Sequence, residues 1–283
     1  MKKTKTEKIV FTIVFCIFIA YTIYILFPLL FAFNSALKAD GGDVLTYAEK
    51  LSIPPHFENF IEALKSLKVG KTSFFMMVVN SLIYSCGTTF LGIMSSTFLA
   101  YAVSRYEFKL KGFLYALALF VMTIPIYGSA PAHYKLIKWL QWDNTWFYLL
   151  STAGAFGFNF IVIHSFFEGV SKEYSEAAFM DGAGHFLVFF KIMLPMALPS
   201  IMAVVITSFI GSWNDYMTPL LYLKKMPTLA SGLYVFKVDM ANYKASDHYY
   251  FAGVLISLIP VVALFLAFQN TIMEKVYAGG LKG

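Results

Sequence analysis

Charge is what this sequence has least of. Asp, Glu, Lys and Arg make up 13% of its 283 residues, against about 25% in soluble globular domains, which excludes an ordinary water-soluble domain. Cysteine is nearly absent. Cys16 and Cys86 stand in separate apolar runs, so there is neither a disulfide framework nor a zinc-ligand spacing, and both read as small buried apolar side chains. No basic stripe with interleaved aromatics accompanies the net charge of +6, so nucleic acid is not the implied partner. No Ser-His-Asp set, carboxylate pair or metal-ligating cluster is visible. Gly70-Lys71-Thr72 looks like the end of a phosphate-binding loop, but Lys65 stands where that loop requires its first Gly, so no nucleotide site follows.

What the chain has in excess is apolar and aromatic: 59% hydrophobic residues, with 30 Phe and 18 Tyr. That composition belongs to membrane proteins, whose helix ends gather aromatics at the interface. The basic stretch Met1–Lys8 precedes an apolar run of about 25 residues, longer than a signal peptide's apolar core and without a cleavage site, so a retained first span is expected. Spanning helices need about 20 apolar residues, and six segments qualify: 9–33, 74–103, 112–130, 146–167, 198–222 and 250–273. Each is expected to be helical, because open strands leave backbone groups unsatisfied in lipid. Pro125 and Pro131 should kink or break the third. Between the spans lie a long loop over 34–73 with Gly41-Gly42 and Pro54-Pro55 as breakers, a basic turn over 104–111, a short interfacial helix within 131–145, and a polar loop over 223–249. The expected fold is thus an all-α membrane protein, one domain of six transmembrane helices. Six spans put both termini on one side. The 22 Lys and Arg residues divide evenly between the two sides. They are denser on the terminal side, and four precede the first span, which favours cytoplasmic termini.

The most informative stretch is the polar island 171–195. Ser171 is a plausible N-cap, and Glu173 and Glu176 favour the positive end of a helix dipole. A helix over 172–181 is expected to stop at Gly182. Gly184 then permits a second turn, residues 185–194 re-form a helix, and Pro195 and Pro199 mark the start of the fifth span. Ala177 and Ala178 are small enough for another surface to approach closely, Phe179 and Met180 offer an apolar anchor, and Glu176 offers a charged contact, a pattern suited to a helix laid in a groove.

The spacing Glu176-Ala177-Ala178, three residues, Gly182, nine residues, Ile192, one residue, Leu194-Pro195 resembles the signature loop of membrane subunits of binding-protein-dependent ABC importers. Asn80-Ser81-Leu82, Ala100-Tyr101-Ala102-Val103-Ser104-Arg105, Gly211-Ser212-Trp213-Asn214-Asp215-Tyr216, Pro54 with Asn59-Phe60, and Ala278-Gly279-Gly280-Leu281-Lys282-Gly283 extend the resemblance to nearly the whole chain. They are similar to the carbohydrate branch, and to its smaller maltose-type permease subunits. Two departures stand out: Ile124-Pro125-Ile126-Tyr127 where Ile-Pro-Gly is common, and Val170-Ser171 where Ile-Pro often precedes the loop. The resemblance implies the type I importer permease fold in a bacterial-type inner membrane, with the loop facing the cytoplasm as a coupling helix. Glu176, Ala177, Ala178, Phe179, Met180 and Gly182 would then meet a dimer of ABC ATPase subunits that binds ATP and magnesium. This chain would carry no cofactor and no catalysis of its own. A second homologous permease, an extracytoplasmic solute-binding protein docking on 34–73 and 223–249, and a sugar or oligosaccharide complete the implied system. The C-terminal tail would also approach the ATPase.

Three polar residues of the spans are candidates for the translocation pathway. Asp215 and Asn214 lie in the fifth, where a carboxylate must face protein or water; the alternatives are a helix-packing hydrogen bond or a wet interfacial position. Asn80 is a gate residue or interhelical glue. Trp213 and His164 read as packing residues, and His185 as a possible ATPase contact. The rival readings are an ABC permease for a non-sugar solute and a stand-alone secondary transporter. The latter usually shows more intramembrane ionisable residues or broken helices.

Overall fold

The computed structural model describes residues 5–40, 44, 50–123, 129–240 and 247–279. In chain order, α1 is Lys5–Ala36, α2 Glu58–Ser66, β1 Lys68–Val69, β2 Thr72–Ser73, α3 Phe74–Arg105, α4 Lys111–Thr123, α5 Ser129–Trp139, a 3-10 segment Trp146–Thr152, α6 Phe158–Gly169, α7 Glu173–Met180, α8 His185–Val188, a π-helical turn Phe189–Met193, α9 Leu194–Asn214, α10 Met217–Tyr222, α11 Leu229–Met240 and α12 Asp247–Gly279. The two short strands pair antiparallel, Lys68 with Ser73 and Val69 with Thr72. The chain divides into two compact units, Met1–Phe75 with Gly232–Ile259, and Met76–Ser231 with Pro260–Gly283.

Among the described residues, four stretches are long and apolar enough to cross a membrane: Lys8–Ala36, Phe74–Arg105, His185–Asn214 and Asp247–Ala267. They fall where the first, second, fifth and sixth spans are expected. Within the third expected span, Lys111–Thr123 is helical and α5 begins at Ser129; Pro125 and its neighbours lie outside the described residues, as do Gly41-Gly42 and the last four residues of the tail. The fourth, 146–167, is not one helix. A 3-10 segment and α6 flank an irregular stretch over Gly154-Ala155-Phe156-Gly157, where two glycines weaken a helix that hydropathy alone would carry straight through. The fifth ends at Asn214 rather than 222, because Asp215 turns to an extended backbone and starts α10. The loop over 223–249 contains a helix, α11, which its polar flanks conceal. Cys16 and Cys86 are exposed rather than buried, since both stand on outward faces of long apolar helices.

In the first unit, α1 exposes apolar side chains all round from Ile9 to Leu30, the pattern of a helix whose surroundings are apolar on every side. Thr12 and Thr22 return their hydroxyls to the Lys8 and Phe18 carbonyls at 2.9 and 2.8 Å. The last turn of a helix leaves carbonyls without intrahelical donors. The buried Asn59 supplies them, its amide donating to the Ala36 carbonyl at 2.9 Å and the Lys38 carbonyl at 2.8 Å, and the His56 N–H bonds the Leu37 carbonyl at 3.0 Å. In the same unit Gly253 is a point of close approach: a Cβ there would lie 2.4 Å from Cδ1 of Leu67 and 3.0 Å from Cδ2 of Leu233.

The second unit packs α3, α4, α6, α7, α8 and α9 around Ile93, Tyr101, Val103, Phe160, Ile163, Phe167, Val188, Phe189, Met193 and Ile201. A separate cluster of Tyr84, Ile137, Tyr148, Tyr222 and Leu223 lies at the other end of α3. There the Tyr148 and Tyr222 rings stack at 4.8 Å and His133 Nδ1 meets the Tyr222 hydroxyl at 3.0 Å.

Replacing Gly253 by Val forces Leu67 and Leu233 out of place, an overpacking cost of about 1–3 kcal/mol. The variant is expected to aggregate at a lower temperature than the parent when heated in detergent; an unchanged onset would mean that the contact is loose.

Candidate functional site

The polar island is built from the end of α6 outward. Helix α6 stops at Gly169, and Val170 turns to an extended conformation with φ −78° and ψ 136°. Its carbonyl accepts a bond from Nη2 of Arg105 at 2.7 Å, tying the root of the loop to the last residue of α3. Ser171 Oγ accepts the Glu173 N–H at 3.3 Å, in the manner of an N-cap. The Lys172 carbonyl gathers the N–H groups of Ser175 and Glu176, both at 3.0 Å. The resulting helix, α7, matches the expected 172–181 to within one residue at each end.

Its C-terminus is closed by a left-handed cap. Gly182 has φ +83°; its N–H bonds the Phe179 carbonyl at 3.0 Å, and the Ala183 N–H reaches back five residues to the Ala178 carbonyl at 2.9 Å. This pair of bonds is the Schellman arrangement, which stops a helix sharply and satisfies its last carbonyls. A Cβ on Gly182 would meet nothing within 4 Å, so glycine is required here by backbone conformation and not by space.

The helix has two faces. Ser175 and Ala178 are buried, and Ala178 belongs to the core of the second unit. Glu176 and Ala177 face outward, as do Tyr174 and Met180, the last 88% exposed. Phe179 is intermediate in role, partly exposed and edge-on to His185 at 4.9 Å. Of the six expected contact residues, Glu176, Ala177, Phe179 and Met180 thus offer a surface, Ala178 anchors the helix, and Gly182 shapes its end. His185 is a strut: its Nδ1 lies 3.0 Å from the Tyr106 hydroxyl. Tyr106 packs on Tyr101, and Tyr101 on Phe167 and Phe189, at ring distances of 5.7, 5.4 and 4.8 Å. Sequence spacing gave no sign of the parts played by Arg105 and Tyr106, which meet partners 65 and 79 residues away. In the neighbouring turn, the Lys111 ammonium bonded at 2.9 Å holds the Glu107 carboxyl below its ordinary value, and Lys172 adds to that effect.

Beyond the cap the chain becomes a rod. Gly184 precedes α8, and the Leu194 N–H bonds the Phe189 carbonyl five residues back. Pro195 has no N–H to give to a carbonyl four residues before it, and the wider turn over 189–193 falls just where that bond is missing. The run His185–Asn214 is helical throughout, so the corner at Gly182–Gly184 leads directly into a membrane-length helix.

Asn80, Asn214 and Asp215 lie elsewhere. Asn80 is near the start of α3, roughly 35 Å along that helix from Arg105 at 1.5 Å per residue. It is buried and donates to the Pro227 carbonyl at 3.0 Å; the next residue, Ser81, accepts the Leu229 N–H. Asp215 accepts from the Tyr84 hydroxyl at 2.9 Å and from the Thr218 N–H at 3.0 Å, so it both caps α10 and clasps α3. Thr88 Oγ1 adds a bond to Ser212 Oγ at 3.0 Å. Asn214 is exposed and bonds the Ile210 carbonyl of its own helix. Trp213 is buried and stacked on Phe209 at 5.9 Å.

Comparison with known proteins bears directly on this loop. The family model described as "Binding-protein-dependent transport system inner membrane component" matches residues 88–276, a range containing the whole loop. The probable ABC transporter permease protein YurM of Bacillus subtilis (strain 168) is 33% identical over 267 residues, covering 93% of this chain and 86% of that protein. The diacetylchitobiose uptake system permease protein NgcG of Streptomyces coelicolor is 28% identical, covering 92% of this chain and 85% of its own. The maltodextrin transport system permease protein MalD of Streptococcus pneumoniae is 29% identical, covering 94% and 93%. Among solved structures, a chain of a bacterial ABC transporter involved in the import of the acidic polysaccharide alginate superposes with a TM-score of 0.78 over 95% of this chain and 99% of its own, at 20% identity; this likeness concerns the fold.

A side chain at Gly182 costs about 1–2 kcal/mol in the left-handed conformation. Gly182→Val is therefore expected to speed amide exchange at residues 182 and 183 by roughly tenfold, and Gly182→Asn by less. Equal protection in all three proteins would show that the cap does not hold the helix end.

Proposed function

Since this chain belongs to the family of binding-protein-dependent transport system inner membrane components, we propose that it is the permease subunit of an ABC importer for a sugar or oligosaccharide, and that α7 is its coupling helix. The carbohydrate assignment draws on relatives whose names specify diacetylchitobiose and maltodextrin. The coupling assignment is carried by one observation: a short helix capped at both ends, with Tyr174, Glu176, Ala177 and Met180 facing outward, is continuous through a tight corner with a membrane-length rod.

The loop lies on the cytoplasmic side, and with it both termini. The outward face of α7 seats in a groove on a cytoplasmic ATPase dimer, which binds ATP and magnesium and performs the hydrolysis. A second, homologous permease completes the membrane part, and an extracytoplasmic solute-binding protein delivers the sugar to the opposite side. When the ATPase dimer closes, α7 moves with it. The Arg105–Val170 bond and the Tyr106–His185 contact pass that displacement to α3 and to the rod ending at Asn214. At the far ends of these helices stand the Tyr84–Asp215 and Thr88–Ser212 clasps. Switching the open side of the pathway then requires two packings of the same helices that differ by a few kcal/mol. Asn80, Asn214 and Asp215 belong to that far end, where Asn214 presents an exposed amide to the solute and Asp215 holds the clasp.

Reversing the charge at the outward face tests the assignment. Glu176→Lys is expected to lower sugar uptake at least about tenfold, the scale of a lost interfacial charge pair, with the chain still present in the membrane. In the parent, Met180→Cys is expected to cross-link to a co-purifying ATPase subunit. Normal uptake by Glu176→Lys, with no ATPase captured by Met180→Cys in mild detergent, would overturn the reading.

A further inference from the structure

Behind the loop, the end of α3, the start of α4 and the end of α6 enclose a cleft of about 310 Å3 lined by Val103, Lys111, Gly112, Tyr115, His164 and Glu168. Its rim carries one charge of each sign. Lys111 gives one bond to Glu107 at 2.9 Å, which leaves its ammonium two further N–H donors. The Glu168 carboxylate is largely exposed and reaches only to 3.7 Å from Nδ1 of His164, beyond hydrogen-bond length. The floor is His164, 5% exposed, its Nδ1 without a hydrogen-bond partner and its ring lying against Tyr115 and Phe160 at 4.9 and 5.5 Å. A buried polar atom left in this state is costly, and the nearby Glu168 carboxylate faces it. Gly112 lines the cleft, and a Cβ there would meet nothing within 4 Å, so a larger side chain has room at its edge.

The position decides which ligand fits. Helix α4 is apolar, and Phe113 and Phe120 are exposed on it. Lys111 and Glu168 stand at the polar ends of two apolar helices, on the side of the loop, where charged residues meet the headgroup layer. We propose that the cleft binds the headgroup of a phospholipid carrying a primary ammonium, of the phosphatidylethanolamine class. The phosphate sits against the Lys111 ammonium, the lipid ammonium donates to the Glu168 carboxylate, and the acyl chains run along α4. A choline headgroup has no N–H to give, and a net anionic headgroup meets the Glu168 carboxylate without a cation to offset it. Glu168 is two residues from Val170, whose carbonyl Arg105 holds, so the lipid would stiffen the root of the loop.

The test is lipid retention, which does not depend on transport. The assembled transporter, purified in mild detergent and stripped of lipid, is offered equal amounts of dioleoyl phosphatidylethanolamine, phosphatidylcholine and phosphatidylglycerol and read by native mass spectrometry. The wild type is expected to favour ethanolamine over choline by about tenfold, the scale of one charge-assisted hydrogen bond. Glu168→Gln should bring that ratio to about one. Gly112→Leu, which fills the cleft and leaves both charges in place, should do the same, so a folding defect peculiar to Glu168→Gln cannot decide the result. An unchanged preference in both variants would overturn the proposal, as would retention of phosphatidylglycerol equal to that of phosphatidylethanolamine. Displacement of the lipid by soluble phosphoethanolamine at equal headgroup concentration would likewise overturn it, in favour of a water-soluble ligand.

Discussion

The bond from Arg105 to the Val170 carbonyl is the tie on which the geometry of the loop depends. It joins the end of α3 to the root of the loop 65 residues later, at a point where the Val170 N–H still bonds the Phe167 carbonyl of α6 but its own carbonyl has left the helix. Charge-assisted bonds of this kind are roughly twice as strong as neutral ones. With the root fixed there, the Tyr106–His185 contact and the ring packing of Tyr101 on Phe189 fix the far side of the corner. Helix α7 is then held at both ends while its outward face remains free.

The two ends of α3 are specialised in different ways. At the loop end, aromatic rings and a guanidinium pack against backbone that belongs to the loop. At the other end, hydroxyls and a carboxylate clasp the end of α9, through Tyr84 with Asp215 and Thr88 with Ser212, beside the stacked Tyr148 and Tyr222. One continuous helix therefore links a stiff aromatic anchor to a clasp of hydrogen bonds.

Local features could be read from the sequence; long-range ones could not. The limits of α7 follow from Ser171, the early acids and Gly182, because capping is decided by neighbours a few residues apart. The four long apolar helices follow from hydropathy. The interruption at Gly154–Gly157 did not, since apolar composition runs through it unbroken, and α11 did not, since charged residues on either side make the segment read as a loop. Asn80 and Asp215 were recognisable as unusual polar residues. Their partners, the Pro227 carbonyl and the Tyr84 hydroxyl, lie 147 and 131 residues away, and no periodicity connects residues at such separations. The same holds for the cleft at His164, which exists only because α4 and α6 meet.

The π-helical turn at Phe189–Met193 has a geometric effect on everything attached to it. Inserting one extra residue into a helix advances the angular phase of all that follows by roughly 100°. The Tyr101-facing side of Phe189 and the buried side of Ala197 belong to a single stripe because the wider turn absorbs that surplus residue. Rewinding the same residues to an ordinary α pitch would swing the corner at Gly182–Gly184 about a quarter revolution around the rod. The pitch of this one turn thus acts as an angular setting, and the compass bearing of the whole loop is held by five residues.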